Sequence, residues 1–351
     1  MATKRPGRRQ SGQPTISDVA LLAQCSPMTV SRVINGETGV RDDTRKTVQA
    51  AITELNYAPN PAARSLAGAA EVRIALLYAN PSASYLSELL MGSLDQASRS
   101  DVRLVVERCE VGQNEEEVVR RLVDNGIDGF VLASPLCDEQ VLLDLLRRLR
   151  VRAALVGPGR AEPHHAAVMI DDYQAAYDMT AYIIGLGHTR IGFIVGDPRQ
   201  TASGQRRAGY LDAMAERGLD APDTMVTQGF FTYRSGFDAA MRLLQQAEPP
   251  TAIFASNDDM AAATVAAAHR QHLEVPADLT VCGFDDTAIA GVIWPELTTI
   301  RQPIQDMSRL ATELLVDTLR ADRAGKPRAA SHVTLDYTLV RRQSDAPPRR
   351  S

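Results

Sequence analysis

Three side chains far apart in the chain form a hydrogen-bonding set that suits a polyhydroxylated small molecule. Arg206 only donates, Asp285 only accepts, and Asn257 does both. Each follows a short apolar run of strand length: Ile191–Val195, Leu279–Phe284 and Ala252–Ala255. Asn80 and Tyr85 follow a similar run, Val72–Tyr78, and Asp171 follows Val168–Ile170. Phe231 lies in a loop and offers an aromatic face for stacking on a ring. Taken singly, each has a plainer reading. Arg206 suits a helix-start surface, Asn257 caps a helix, and Asp285 makes a turn or a cap.

A second set sits near the N-terminus. Pro27, Met28, Thr29, Ser31 and Arg32 share a face opposite the apolar stripe Val30, Val33 and Ile34. If this helix enters a major groove, its first residues reach base edges. Arg32 then pairs with guanine or clamps a phosphate. Outside that context it is an ordinary solvated arginine.

The elements that hold this second set are short. Thr15 caps a first helix, with Asp18 three residues on, and Ile16, Val19, Ala20 and Ala23 form its stripe. Ser26 caps the next helix, Pro27 takes its first position, and Asn35-Gly36 stops it. Asp42 or Asp43 caps a third helix with the stripe Val48, Ala51, Ile52 and Leu55, ended by Asn56-Tyr57. A Pro-led segment, Asn60–Gly68, is too short to be a stable helix alone. Its Leu66 either packs on the following domain or wedges into a minor groove.

From residue 72 onward, strand-length apolar runs alternate with helical patterns, which reads as parallel α/β sheets in two series and hence two lobes. In such sheets ligands bind outside the carboxyl ends of the strands. His188 falls in a helix-to-strand turn with a structural role, and His164-His165 fall in a Pro-flanked, exposed stretch.

The 351 residues carry a net charge of −5, unevenly spread. Residues 1–68 hold nine Lys/Arg against five Asp/Glu, and the rest holds 29 against 38. A basic end on an acidic body suits contact with phosphates. No apolar run approaches the roughly 20 residues of a membrane span, and the basic N-terminus lacks the apolar region of a secretory signal. Those features predict a cytoplasmic location. The four cysteines lie scattered without metal-ligand spacing, so neither a metal nor another cofactor is expected. GxGxxG, P-loop and GxSxG patterns are absent, which argues against an enzyme.

The residues T-I-x-D-V-A…V-S-R-V-I-N-G…V-R-x-x-T-R…E-L-N-Y-x-P-N-x-x-A-R-S-L resemble the headpiece of the LacI/GalR family of bacterial transcription regulators. In the body, R-x-A-G-Y, F-A-S-N-D-x-M-A and V-x-G-F-D-D match motifs of the same family. The resemblance implies a small all-α helix-turn-helix DNA-binding domain, residues 15–59, behind a basic, disordered tail, residues 1–14. A hinge, residues 60–70, joins it to a two-lobed α/β effector domain of periplasmic-binding-protein type with parallel sheets, residues 71–343. The chain would cross between lobes near residues 171, 299 and 331. That gives a first lobe of about 71–170 and 300–330 and a second of about 171–299 and 331–343. The strand around Thr334–Val340 then falls in the second lobe, followed by a disordered tail, residues 344–351.

By resemblance, Pro27, Met28 and Arg32 face bases, Asn35 and Asn60 lie near phosphates, and Leu66 becomes the wedge of a hinge helix. Thr15, Ser26, Thr29, Ser31, Tyr57 and Ala63 complete the expected DNA-facing set. Arg206, Asn257 and Asp285 would touch the effector, with Asn80, Tyr85, Asp171, Phe231 and Gln302 around them. Two departures bear on the ligand. Gly157-Pro158-Gly159 has no acid where the lactose-sensing branch has one. The loop from Asp197 to Ser203 does not reproduce the purine-sensing contacts.

The expected partners are therefore near-palindromic operator DNA, a sugar or sugar derivative, and a second copy of the chain. The expected outcome is repression of carbohydrate uptake or catabolism. The Pro-rich polar C-terminus lacks leucine heptads, which favours a homodimer. The alternative is a secreted sugar-binding protein, which would have no use for residues 15–68.

Overall fold

The computed structural model describes residues 14–34, 39–55, 57, 71–160 and 162–349. The chain divides into two compact units, Met1–Glu71 and Val72–Ser351.

The first unit carries α1 (Ile16–Leu22), α2 (Pro27–Ile34) and α3 (Asp42–Glu54). A capping box opens α1: Thr15 N donates to Asp18 Oδ2 at 2.7 Å, and Asp18 N donates back to Thr15 Oγ1 at 3.4 Å. Ser26 opens α2, its Oγ accepting from Thr29 N at 3.1 Å. The cap position of α3 is Arg41, which makes no side-chain cap bond. Asp42 and Asp43, expected as caps, lie in the first turn instead, where they complement the positive helix end. Val19, Ala20, Ala23, Val30, Val33, Val48, Ala51 and Tyr57 close a small apolar core. Each helix contributes only two or three residues to it, so none would hold its shape without the others.

The second unit is built on two six-stranded sheets. The chain runs through β1 (Arg73–Tyr78), α4 (Ala83–Arg99), β2 (Arg103–Arg108), α5 (Glu115–Asp124) and β3 (Gly129–Ala133). Next come α6 (Gln140–Leu149), β4 (Arg152–Val156) and β5 (Ala166–Met169). It then enters the second lobe with α7 (Asp172–Gly185), β6 (Ile191–Val195), α8 (Thr201–Glu216), β7 (Val226–Gln228) and α9 (Tyr233–Leu244). That lobe continues with β8 (Ala252–Ala255), α10 (Asp258–Arg270), β9 (Thr280–Asp285), α11 (Ala288–Val292) and β10 (Thr298–Arg301). Last come α12 (Ile304–Arg323), β11 (His332–Thr334) and β12 (Thr338–Val340).

The sheet orders are β11-β5-β4-β3-β1-β2 and β12-β10-β9-β8-β6-β7. All pairings are parallel except β12 on β10. β3, β6 and β8 are wholly buried, which explains their unbroken apolar sequences. The order of the strands along the chain reverses between β1 and β3 and between β6 and β8, the switch points beside which ligands bind in such sheets. Helix α12 packs on the first lobe, where Ser93 Oγ and Ser308 Oγ lie 2.6 Å apart. Gly92 permits that approach, since a Cβ there would sit 2.1 Å from the Gln305 carbonyl oxygen.

The C-terminal stretch departs from expectation. The expected strand at 334–340 is two strands on different sheets: β11 joins the first sheet beside β5, and β12 joins the second. The crossings accordingly follow β5, β10 and β11. Residues 344–349, expected as a disordered tail, pack on the second lobe. Ser344 is fully buried, its carbonyl accepting from Val281 N at 2.9 Å, and Arg349 pairs with Asp278. His188 stands 2.8 Å from the carbonyl oxygen of Ala346 and 2.8 Å from Thr251 Oγ1, tying this stretch to the turn before β6. His165, expected to be exposed, is buried at the start of β5, and burial lowers its pKa.

Candidate functional site

The carboxyl ends of β1, β3, β4, β6, β8 and β9 converge on one cleft between the lobes. It is lined by Asn80, Ser82 and Tyr85 after β1, Ser134 after β3 and Gly157 after β4. The second lobe adds Asp172, Gln200, Ala202, Arg206, Phe231, Asn257 and Asp285, and Gln302 sits at the crossing after β10. The free space at its centre is about 30 Å³, room for a water or two, and the lobes touch across it, Ser134 Oγ donating to Gln200 Oε1 at 3.0 Å.

Arg206 organises the electrostatics. It is 5% exposed, near the start of α8. Its Nε donates to Asp172 Oδ1 at 2.7 Å and its Nη1 to the Ser256 carbonyl at 2.5 Å. Asp285 Oδ1 lies 3.7 Å from Nη1. The guanidinium stacks 3.6 Å from the Phe284 ring centroid, with Phe231 on another side at 5.9 Å. A buried cation is thus held between two carboxylates and two aromatic rings.

Asp285 has a φ of +109° and receives Gln302 Nε2 at 2.6 Å. Burial pushes its carboxyl up to about 7, against the pull of Arg206 and the Gln302 bond. Asp258 behind it is also raised by burial, then by Asp285, and accepts from Thr299 Oγ1 at 2.6 Å and Thr287 N at 2.8 Å. Burial raises the Tyr85 phenol as well.

Asn257 lines the cleft and also caps a helix, as its plainer reading has it. Its Oδ1 caps α10 through Met260 N at 3.0 Å, and its Nδ2 donates to the Phe231 carbonyl at 3.2 Å. Phe231, at φ +57°, lays its ring over Gly196, where a Cβ would come within 2.0 Å of Cζ. Gln200 Nε2 is buried with no partner among the described residues, although its Oε1 accepts from Ser134 Oγ at 3.0 Å. A buried donor left open beside a small cavity suits a ligand oxygen.

Of the eight expected cleft residues, Asn80, Tyr85, Arg206, Phe231, Asn257, Asp285 and Gln302 line the cleft. Asp171 does not. It is exposed, and its Oδ1 caps α7 through Gln174 N at 2.9 Å. Asp172, one residue further into the helix, turns inward to Arg206. Ser82, Ser134, Gly157 and Gln200 were not expected. Each follows a strand end, so the strand-end rule points to them, but residue type alone does not separate them from loop neighbours.

On the headpiece, Ser26, Pro27, Met28 and Arg32 are exposed, with Met28 at 67%, and Thr29 and Ser31 are half-buried. Ser26 and Thr29 hydroxyls also bond each other at 2.9 Å. Thr15 is exposed and engaged with Asp18. Tyr57 does not join this face: it is buried in the headpiece core. Asn35, Asn60, Ala63 and Leu66 lie outside the described residues. Among the described residues no cluster of metal-ligating groups is present, and no helix is long and apolar enough to cross a membrane.

A small helical reader followed by a cleft-bearing two-lobed body is the plan of a ligand-controlled transcription regulator. Residues 15–60 match the family described as bacterial regulatory proteins, lacI family, and residues 180–344 match the periplasmic binding protein-like domain. Catabolite control protein A of Priestia megaterium is 32% identical over 332 residues, 94% of this chain and 98% of the relative. The HTH-type transcriptional repressor PurR of Proteus mirabilis is 32% identical over 339 residues, 95% and 97% of the two chains. Among solved structures, a transcriptional regulator CelR–cellobiose complex is 30% identical with a TM-score of 0.72, covering 95% of this chain and 100% of that one. The Lac repressor dimer bound to operator and the anti-inducer ONPF is 27% identical with a TM-score of 0.76, covering 95% and 99%. The chain belongs to the lacI family of bacterial transcription regulators. The match over residues 15–60 removes the case for a secreted binding protein, which has no use for a DNA reader.

Proposed function

We propose that this regulator acts in the cytoplasm as a homodimeric repressor, releasing or gripping a near-palindromic operator according to a sugar bound in the lobe cleft. It works as a switch, not as a catalyst. The observation that carries the sugar reading is the cleft's mixed polar set. Arg206 and Gln200 donate, Asp172 and Asp285 accept, and the rings of Phe231 and Tyr85 stand beside them. Polyols donate and accept at every hydroxyl and offer an apolar ring face, so this set fits them. The CelR–cellobiose complex supports a sugar ligand for this architecture.

Pro27, Met28 and Arg32 read base edges in the major groove, with Ser26, Thr29, Ser31 and Thr15 supporting the phosphate contacts. Asn35, Asn60, Ala63 and Leu66 complete the DNA contacts, with Leu66 as the minor-groove wedge. The ligand must favour one lobe arrangement over the other, or operator affinity cannot change.

A thermal-shift screen of neutral sugars, sugar phosphates and purines on the full chain tests the ligand class. Neutral sugars should raise the melting temperature, and Arg206→Lys should weaken that shift. A shift produced by purines alone would sink the reading.

A further inference from the structure

Helix α8 begins at the cleft and carries Arg206 on its second turn, yet its own cap residue, Gln200, makes no side-chain cap bond. The cap comes from the other lobe. Asp138, in the short turn after β3, accepts from Thr201 N at 3.0 Å through Oδ2 and from Gly159 N at 3.0 Å through Oδ1. One carboxylate therefore grips the first residue of a second-lobe helix and a first-lobe loop together. Two further bonds cross at the same place: Gln205 Nε2 donates to the Gly159 carbonyl at 2.7 Å, and Ser134 Oγ donates to Gln200 Oε1 at 3.0 Å. The approach is close enough to demand glycine, since a Cβ on Gly159 would stand 2.0 Å from Thr201 Cβ.

We infer that Asp138 is the positioning residue that latches the closed lobes by capping α8 across the cleft. Its charge suits that place, because the exposed N–H groups of a helix start carry partial positive charge and favour a carboxylate. When the lobes part, α8 loses its cap, and its start loosens where Gln200 and Ala202 line the cleft, one turn before Arg206. Lobe closure and ordering of the binding set then become one event. The inference rests on the effector-site reading for its consequence, and its geometry stands without it.

The test uses the full chain without ligand, so its outcome is separate from that of the sugar screen. Thr201→Pro removes the donor while keeping the helix, because proline is well tolerated at a first helical position. The preceding Gln200, at φ −99° and ψ 122°, already has the extended backbone that proline requires. Asp138→Ala removes the acceptor. Both variants should speed amide exchange in residues 202–206 about five- to tenfold. Both should also raise the radius of gyration measured by small-angle scattering, and Thr201→Pro, which leaves the Asp138–Gly159 bond in place, should speed exchange at Gly159 in the opposite lobe. Asp138→Glu should recover part of each effect. Exchange in α10, whose cap Asn257 lies within its own lobe, should stay as in the wild type. Faster exchange confined to α8, with unchanged scattering and unchanged Gly159, means a cap without a latch and overturns the inference. So does wild-type exchange in 202–206 in folded variants.

Discussion

Arg206 is the most consequential single side chain in the body, because two buried carboxylates depend on it. Arg206→Ala should destabilise the body by about 3–5 kcal/mol, the usual cost of leaving a buried partner charge uncompensated, read from urea denaturation. Asp285 works with pH. Its folded pKa is raised from 3.8 to about 7, so its contribution to stability is full in acid and is lost as pH rises through about 7. Replacing it with asparagine removes that loss. The melting temperature of Asp285→Asn relative to wild type should therefore be more favourable at pH 8 than at pH 5. A pH-independent difference would mean that the carboxyl is already ionised at pH 5. Sequence motifs pointed to Arg206, Asn257 and Asp285 because each stands in a distinctive local string. They did not separate Asp171 from Asp172, because adjacent acids at a helix start differ only in which one the helix turns inward.

Among the elements, α2 is the proposed reader, and its exposed Arg32 invites a direct measurement. Arg32→Ala should cost about 1–3 kcal/mol of specific operator affinity while leaving the headpiece folded. A loss that is equal on unrelated DNA would make Arg32 a phosphate contact only. Thr15→Ala removes the capping box of α1 and should lower headpiece stability by about 1 kcal/mol, read by circular dichroism melting of the headpiece transition. The first two helices were legible because caps, Pro27 and apolar stripes agree with one another, and the third by its stripe alone. The central strands were equally legible as unbroken apolar runs, such as Ile191–Val195 and Ala252–Ala255. The edge strands β7, β11 and β12 are three residues long and only partly buried, so they leave no apolar run to find. The packed segment 344–349 was equally hidden. Its hold on the second lobe is largely polar, through Ser344, Asp345 and Ala346, in a stretch that reads as a tail by composition.

For the molecule as a whole, a chain beginning at Glu71 should lose operator binding and its salt dependence while keeping the thermal response to ligand. Retained specific DNA affinity in that shortened chain would refute the division of labour. The order in which the sheets are completed carries a further consequence. The headpiece core is closed by Tyr57, whereas the first sheet waits for β11, His332–Thr334. At a synthesis rate of ~5–20 residues per second, the roughly 280 intervening residues take on the order of 15 s to a minute. During that interval each ribosome carries a finished reader and an unfinished controller. A message cut short between Tyr57 and β11 would yield a closed headpiece core joined to a body whose first sheet is never completed.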